Sequence, residues 1–146
     1  MTPPSRPKTT PDVSARMKRV RTSRTGAERE VEKVLRRVGL RYKRNPKSLP
    51  GTPDFFIQDK KLAVFVDGCF WHGCPRCFSG TRRNRKWWTE KIETNRRRDR
   101  RMDARLRRLG YKVIHIWEHD SHRRVQRRLA MVTGCDTDLC SRICRI

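Results

Sequence analysis

The sequence predicts a mixed α/β fold, in which a small sheet is covered by helices. Three observations carry this. Leu62–Val66 is a continuous apolar run flanked by turn residues, the pattern of a strand buried on both faces. Helical periodicity recurs before it, from Ala27 to Val38, and after it, from Trp88 to Leu109. Two further short apolar runs, Phe55–Ile57 and Tyr111–Trp117, fit strands on either side in sequence. The order α-β-β-β-α-β, a hairpin followed by a helical crossover, implies a sheet with both strand orientations.

Residues 1–20 are rich in Pro, Ser, Thr and basic side chains and read as a flexible arm with no apolar signal core. Thr25 and Glu28 form a T-x-x-E capping box that opens the first helix, and Ala27, Val31, Val34, Leu35 and Val38 form its apolar face. Gly39 stops it. A strand is expected at Leu40–Lys43, then a Pro/Gly loop over Asn45–Pro53, a strand at Phe55–Ile57 and a turn at Gln58–Lys60. The central strand ends in a loop running from Asp67 to about Thr81. The long helix is expected over Trp87–Leu109, closed by Gly110, then a strand over Tyr111–Trp117 and a last helix over Ser121–Val132. These divisions give an arm (1–20), a globular domain (21–132) and a Cys-bearing tail (133–146).

On the long helix, Trp88, Ile92, Asn95, Asp99, Met102, Leu106 and Leu109 share one face, apolar apart from Asn95 and Asp99. A carboxylate on an inward face needs a partner, because an unpaired buried charge is costly. That partner is either a nearby arginine or an imidazole that Asp99 orients. Arg96, Arg97, Arg98, Arg100 and Arg101 fall mostly off the stripe, free for solvent or phosphate.

Lys and Arg number 38 against 15 Asp and Glu, a net charge of +23. Such an excess favours a polyanion through counterion release, and nucleic acid is the first expectation. No apolar run approaches the roughly 18 residues of a spanning helix, so a membrane partner is not expected. In a chain with no secretory signal, six cysteines favour metal over disulfides.

The segment DGCFWHGCPRC, Asp67–Cys77, concentrates the chemistry. Cys69, Cys74 and Cys77 have the close spacing of a metal site and lack a fourth ligand. His119, just past the last strand, is the first candidate. His115, His122 and the tail cysteines Cys135, Cys140 and Cys144 are alternatives. With four protein ligands, zinc (Zn2+) at such a site is structural. Asp54 stands at the mouth of a strand, suited to a hard cation such as magnesium (Mg2+) that also binds phosphate. Asp67, at the end of the central strand, is a candidate second carboxylate. His72 lies inside the metal loop, where a fixed imidazole either ligates metal or deprotonates water beside a phosphate. Metal loop, strand-end carboxylate and arginine surplus together point to a nuclease.

The segments TGAE (25–28), LPGTPDF (49–55), FVDGCFWHGCP (65–75), WWTEKIETNRRRDRRMD (87–103), LRRLGYKV (106–113) and WEH (117–119) resemble the very-short-patch repair (Vsr-type) endonucleases, over roughly Arg16–Asp120. That family nicks DNA beside T:G mismatches left by deamination of 5-methylcytosine. The resemblance implies a restriction-endonuclase-like αβββαβ core. It implies Asp54 as the magnesium carboxylate with the Val66 carbonyl beside it, His72 as general base held by Asp99, and Glu28 supporting the site. Cys69, Cys74, Cys77 and His119 would hold zinc. Phe70 and Trp71 would wedge into the mismatch from the major groove against Met17 from the minor groove, with Lys91 and Asn95 facing the mismatched bases. It also implies a prokaryotic, cytoplasmic, nucleoid-associated monomer acting on double-stranded DNA, with mismatch-repair proteins as candidate partners. The chain departs from the pattern in places. Some members carry His at the place of Asp67, and Cys69 stands where many restriction nucleases have a lysine, which favours His72 as proton acceptor. The tail beyond Arg128 has no counterpart. A restriction or defence nuclease without mismatch preference, and a zinc-bearing DNA-binding protein without catalysis, are the rival readings.

Overall fold

A computed structural model describes residues 5–8, 10–19 and 25–134. The elements are α1 (Pro11–Lys18), α2 (Gly26–Arg37), β1 (Lys43–Arg44), β2 (Phe55–Ile57), a 3-10 turn (Gln58–Lys60), β3 (Leu62–Asp67), α3 (Arg85–Arg108), β4 (Lys112–Trp117) and α4 (His122–Thr133). The four strands form one sheet in the order β1-β2-β3-β4. The first two pairings are antiparallel, and β3 and β4 are parallel, with Asp67 opposite Trp117 and Phe65 opposite His115. The mixed sheet flanked by helices agrees with the sequence expectation.

The two faces of the sheet differ in kind. Leu62, Val64, Ile114 and Ile116 join Val31, Leu35, Val125 and Leu129 in one apolar core beneath α2 and α4. Strand alternation sends Phe65, Asp67 and His115 to the other face, towards α3. The opposite face therefore carries the polar groups, with α3 packed over it.

Helix ends follow their local chemistry. The Thr25 hydroxyl accepts from the Glu28 amide at 3.3 Å. Both α2 and α3 close in the paired C-terminal bonds around a glycine: Leu40 N to Leu35 O (3.0 Å) past Gly39, and Tyr111 N to Leu106 O (3.1 Å) past Gly110.

Some boundaries differ from expectation. The first strand comprises only Lys43–Arg44, because the Leu40 amide is taken by the α2 cap and Leu40 and Tyr42 pack against the core from a loop. The arm contains a helix, α1, started by Pro11 and burying none of its residues. Leu109, expected on the inward stripe of α3, is 58% exposed at the helix end, whereas Ile92 and Leu106 are buried. The tail cysteines Cys135, Cys140 and Cys144, and most of the arm-to-domain junction, lie outside the described residues. No helix among the described residues is long and apolar enough to cross a membrane.

Candidate functional site

An open cleft of about 940 Å³ lies between the C-terminal end of β3, the loop that follows it and α3. Glu28, Asp54, Val66, Asp67, His72 and Asp99 all line it. Five separate segments, α2, the loop before β2, β3, the loop after it and α3, thus deliver the candidate residues to one place.

Asp54 precedes β2, and its Oδ2 accepts from the Val66 amide at 2.7 Å, so the hairpin ladder continues into the carboxylate. Burial raises its pKa against that bond, and the nearby Glu28 and Asp67 carboxylates raise it further, to about 6. A carboxyl that resists its own charge beside two other carboxylates is one that a cation would relieve. Its hard oxygen donors are of the kind that divalent cations take. Glu28, buried, is held by Arg44 Nη2 at 3.5 Å and by the Thr25 hydroxyl at 3.2 Å.

His72 sits in the turn after β3, and its Nδ1 lies 2.8 Å from Asp99 Oδ2 on α3. Its Nε2 faces Asp67 Oδ1 at 3.8 Å, beyond hydrogen-bond range. The Asp99 bond raises the His72 pKa above the usual histidine value against the cost of burial. Burial works the other way on Asp99, yet the His72 bond and charge leave its pKa lowered. Both of the readings for Asp99 hold in part, since Arg98 Nη2 lies 3.3 Å from Oδ1.

The backbone of the loop is pinned by α3. Arg96 donates from Nε to the His72 carbonyl at 3.2 Å and from Nη2 to the Gly73 carbonyl. Asn95 Nδ2 donates to the Trp71 carbonyl at 3.1 Å. Gly73 has φ +60°, and a Cβ there would meet Ile92 Cγ2 at 2.7 Å and Arg96 Nη2 at 2.9 Å. The expectation that these arginines reach solvent holds for Arg97, Arg98, Arg100 and Arg101, which are exposed even where Arg97 and Arg100 pair with Glu93 and Arg98 meets Asp99; Arg96 departs from it by clamping the loop.

A candidate metal site comprises Cys69, Cys74, Cys77 and His119, whose ligand atoms all lie within 4.8 Å of one another. His119 Nδ1 is 3.1 Å from Cys69 Sγ, 3.7 Å from Cys74 Sγ and 3.3 Å from Cys77 Sγ. Three soft sulfurs and one imidazole nitrogen this close together are four protein donors that could hold one soft metal ion. The other ring nitrogen lies 3.7 Å from Asp120 Oδ1, beyond hydrogen-bond range. His115 and His122, the alternative fourth ligands, are elsewhere: His115 bonds Asp67 at 2.6 Å and His122 meets Arg37 at 3.3 Å.

Trp71, 36% exposed, stands at the cleft with Met17 of α1 among the lining residues. Phe70 is half-buried in an aromatic cluster with Trp71, Phe78 and Trp88, centroids 4.8–5.7 Å away. Lys91 lies half-buried on α3, one turn before Asn95. Sequence reasoning missed Arg44, Arg96, Asp103 and the bridging position of His115. Only His115 left a trace, as an imidazole interrupting an apolar strand.

Residues 8–77 match the family described as "DNA mismatch endonuclease Vsr". Among curated proteins, the chain is 39% identical over 103 residues to "Type II nicking enzyme V.XorIIP" of Xanthomonas oryzae pv. oryzae, covering 70% of this chain and 76% of that protein. It is 36% identical over 107 residues to "DNA mismatch endonuclease Vsr" of Escherichia coli (strain K12), covering 72% and 68%. With "Type II nicking enzyme V.HpaIIP" of Haemophilus parainfluenzae it shares 33% identity over 118 residues, covering 77% and 83%.

Proposed function

The chain belongs to the Vsr family of DNA endonucleases, and from that premise we propose that it nicks one strand of duplex DNA beside T:G mismatches. The observation that carries the reading is the meeting of His72 and Asp99 at 2.8 Å in the cleft that Asp54 also lines. An acid suited to a hard cation and a histidine oriented by a second acid can together supply charge stabilisation and a general base for hydrolysis of a phosphodiester.

In this reading Asp54 and the Val66 carbonyl hold magnesium, and Glu28, steadied by Arg44, supports them. Bound there, magnesium supplies charge stabilisation at the phosphate oxygens. Nδ1 of His72 donates to Asp99, which leaves Nε2 to take the proton of the attacking water. Cys69, Cys74, Cys77 and His119 hold zinc and so tie the loop carrying His72 to the end of β4. Phe70 and Trp71, with Met17 opposite, open the base step, and Lys91 and Asn95 face the bases. Unstacking costs a few kcal/mol, less at a mismatch, so insertion favours T:G over paired DNA.

The order α2-β1-β2-β3-α3-β4 supports a restriction-endonuclease-like core within residues 21–132, between the arm and the Cys-bearing tail. We place the enzyme in the cytoplasm as a monomer, with mismatch-repair proteins as candidate partners. A second reading, site-specific nicking without mismatch preference, draws on the printed names of relatives called type II nicking enzymes. Incubating the purified protein and magnesium with matched and T:G-mismatched duplexes of the same sequence separates the two. Nicking confined to the T:G duplex supports the first, equal nicking of both supports the second, and nicking of neither removes both.

A further inference from the structure

His115 stands in β4 between two carboxylates. Its Nδ1 is 2.6 Å from Asp67 Oδ2, and its Nε2 is 2.9 Å from Asp103 Oδ2 and 3.1 Å from Oδ1. An ionised carboxylate only accepts, so both ring nitrogens must donate, which an imidazolium alone can do. Burial opposes that charge, but the Asp67 bond and the two carboxylate charges hold the His115 pKa up at about 9. Phe65 stacks on the ring at 5.1 Å and 12°, and the Arg128 guanidinium donates to the His115 carbonyl. Neither ring nor backbone is free to turn.

His72 offers a contrast. It too has two carboxylates about its ring, Asp99 at 2.8 Å and Asp67 at 3.8 Å, yet only the first is a hydrogen bond. Were Asp67 to close on Nε2, His72 would be clamped on both nitrogens as His115 is, with no lone pair left for a proton. What keeps Asp67 away is its short bond to His115.

Resting on the nuclease reading above, we propose that His115, braced by Asp103, is a positioning residue that holds the Asp67 carboxylate off His72 and so keeps Nε2 open to water. The role is geometric, and it rests on which ring nitrogen meets Asp67. Asparagine places its amide where Nδ1 of histidine lies, and glutamine where Nε2 lies. His115→Asn therefore keeps a donor for Asp67, His115→Gln keeps one only for Asp103, and His115→Phe keeps only the stack on Phe65.

The test is single-turnover nicking of a T:G duplex at saturating protein and magnesium by the wild type and the three variants, with DNA affinity measured alongside. The expected result is nicking within about threefold of wild type for His115→Asn and at least about tenfold slower for His115→Gln and His115→Phe, with binding unchanged in all. Equal rates for Asn and Gln, or undiminished nicking by His115→Phe, would overturn the inference. Because the Phe variant leaves two carboxylates without their partner and could fail to fold, the wild type is also observed by ring ¹⁵N NMR at neutral pH. Two protonated nitrogens on His115 are expected there, and a ring with one proton sinks the proposal. A wild type that nicks no duplex removes the parent reading instead, and the ring spectrum still decides the pairing.

Discussion

His72 Nδ1 and Asp99 Oδ2 meet at 2.8 Å although the two residues stand on different elements, one in the loop after β3 and one at mid-helix on α3. The contact orders the rest of the cleft. It assigns the Nδ1 proton to the side facing α3 and turns Nε2 towards Asp67. It also explains why a helix face that is apolar apart from Asn95 carries a carboxylate. Arg96, three residues earlier on the same helix, holds the His72 carbonyl at 3.2 Å, so ring and backbone are fixed from one rigid support.

Replacing Asp54 by Ala is expected to reduce nicking by about 10²-fold or more, since charge stabilisation by a bound cation is worth several kcal/mol and each 1.4 kcal/mol is tenfold. DNA binding should persist, because the arginines supply it. Near-normal nicking by this variant in magnesium would take Asp54 out of the mechanism.

One zinc per chain is expected by elemental analysis, held by the Cys69, Cys74, Cys77 and His119 cluster. Stripping it should lower Tm by more than about 4 °C, the shift that roughly 1 kcal/mol produces in a domain of this size. Protein prepared without chelators that contains no zinc would count decisively against the assignment.

The Phe70→Ala, Trp71→Ala double variant should narrow the preference for T:G over paired DNA by about tenfold, because the unstacking term of a few kcal/mol is lost. The salt dependence of binding, set by phosphate contacts, should be unchanged. An intact mismatch preference in the double variant would refute the wedge.

The fold was legible where periodicity and caps agree. Thr25, Gly39 and Gly110 mark ends that the structure reproduces, and the parallel pairing of β3 with β4 follows from the helix between them. The grouping of Cys69, Cys74 and Cys77 was legible too from their short spacing, with His119 the first of several candidates for the fourth ligand. What was hidden depends on the far side of the sheet. Nothing in local pattern says that His115 will bridge Asp67 and Asp103, or that Arg96 will turn inward to the His72 and Gly73 carbonyls. Those pairings arise from the register of β4 and the azimuth of α3, which are properties of packing.

His115 also predicts a pH dependence of stability. Its pKa is raised to about 9 in the folded chain, against about 6.5 in the unfolded one. For a raised histidine the stabilisation is fully present below the unfolded value and is lost as pH rises through the folded one. The stability gap between wild type and His115→Gln, measured by denaturant unfolding, should therefore be widest below about pH 6.5 and shrink towards pH 9. A gap that stays constant over that window would mean that the ring is uncharged and held by packing alone.

The dyad can be tested as a unit. Asp99→Asn keeps the side-chain shape and loses the charge that raises the His72 pKa and stabilises its protonated form. Nicking is expected to fall by about 10²-fold or more if His72 supplies ordinary general-base catalysis, with little change in Tm. His72→Ala should be nearly as slow. Combining the two should add little, because a base that is gone cannot be oriented, and losses from residues acting together do not multiply. The weaker base in Asp99→Asn should also reach its deprotonated form at lower pH, so the acidic limb of the rate profile should move down in pH. Independent, multiplicative losses, or an unmoved acidic limb, would mean that Asp99 serves the packing of α3 and that His72 works without it.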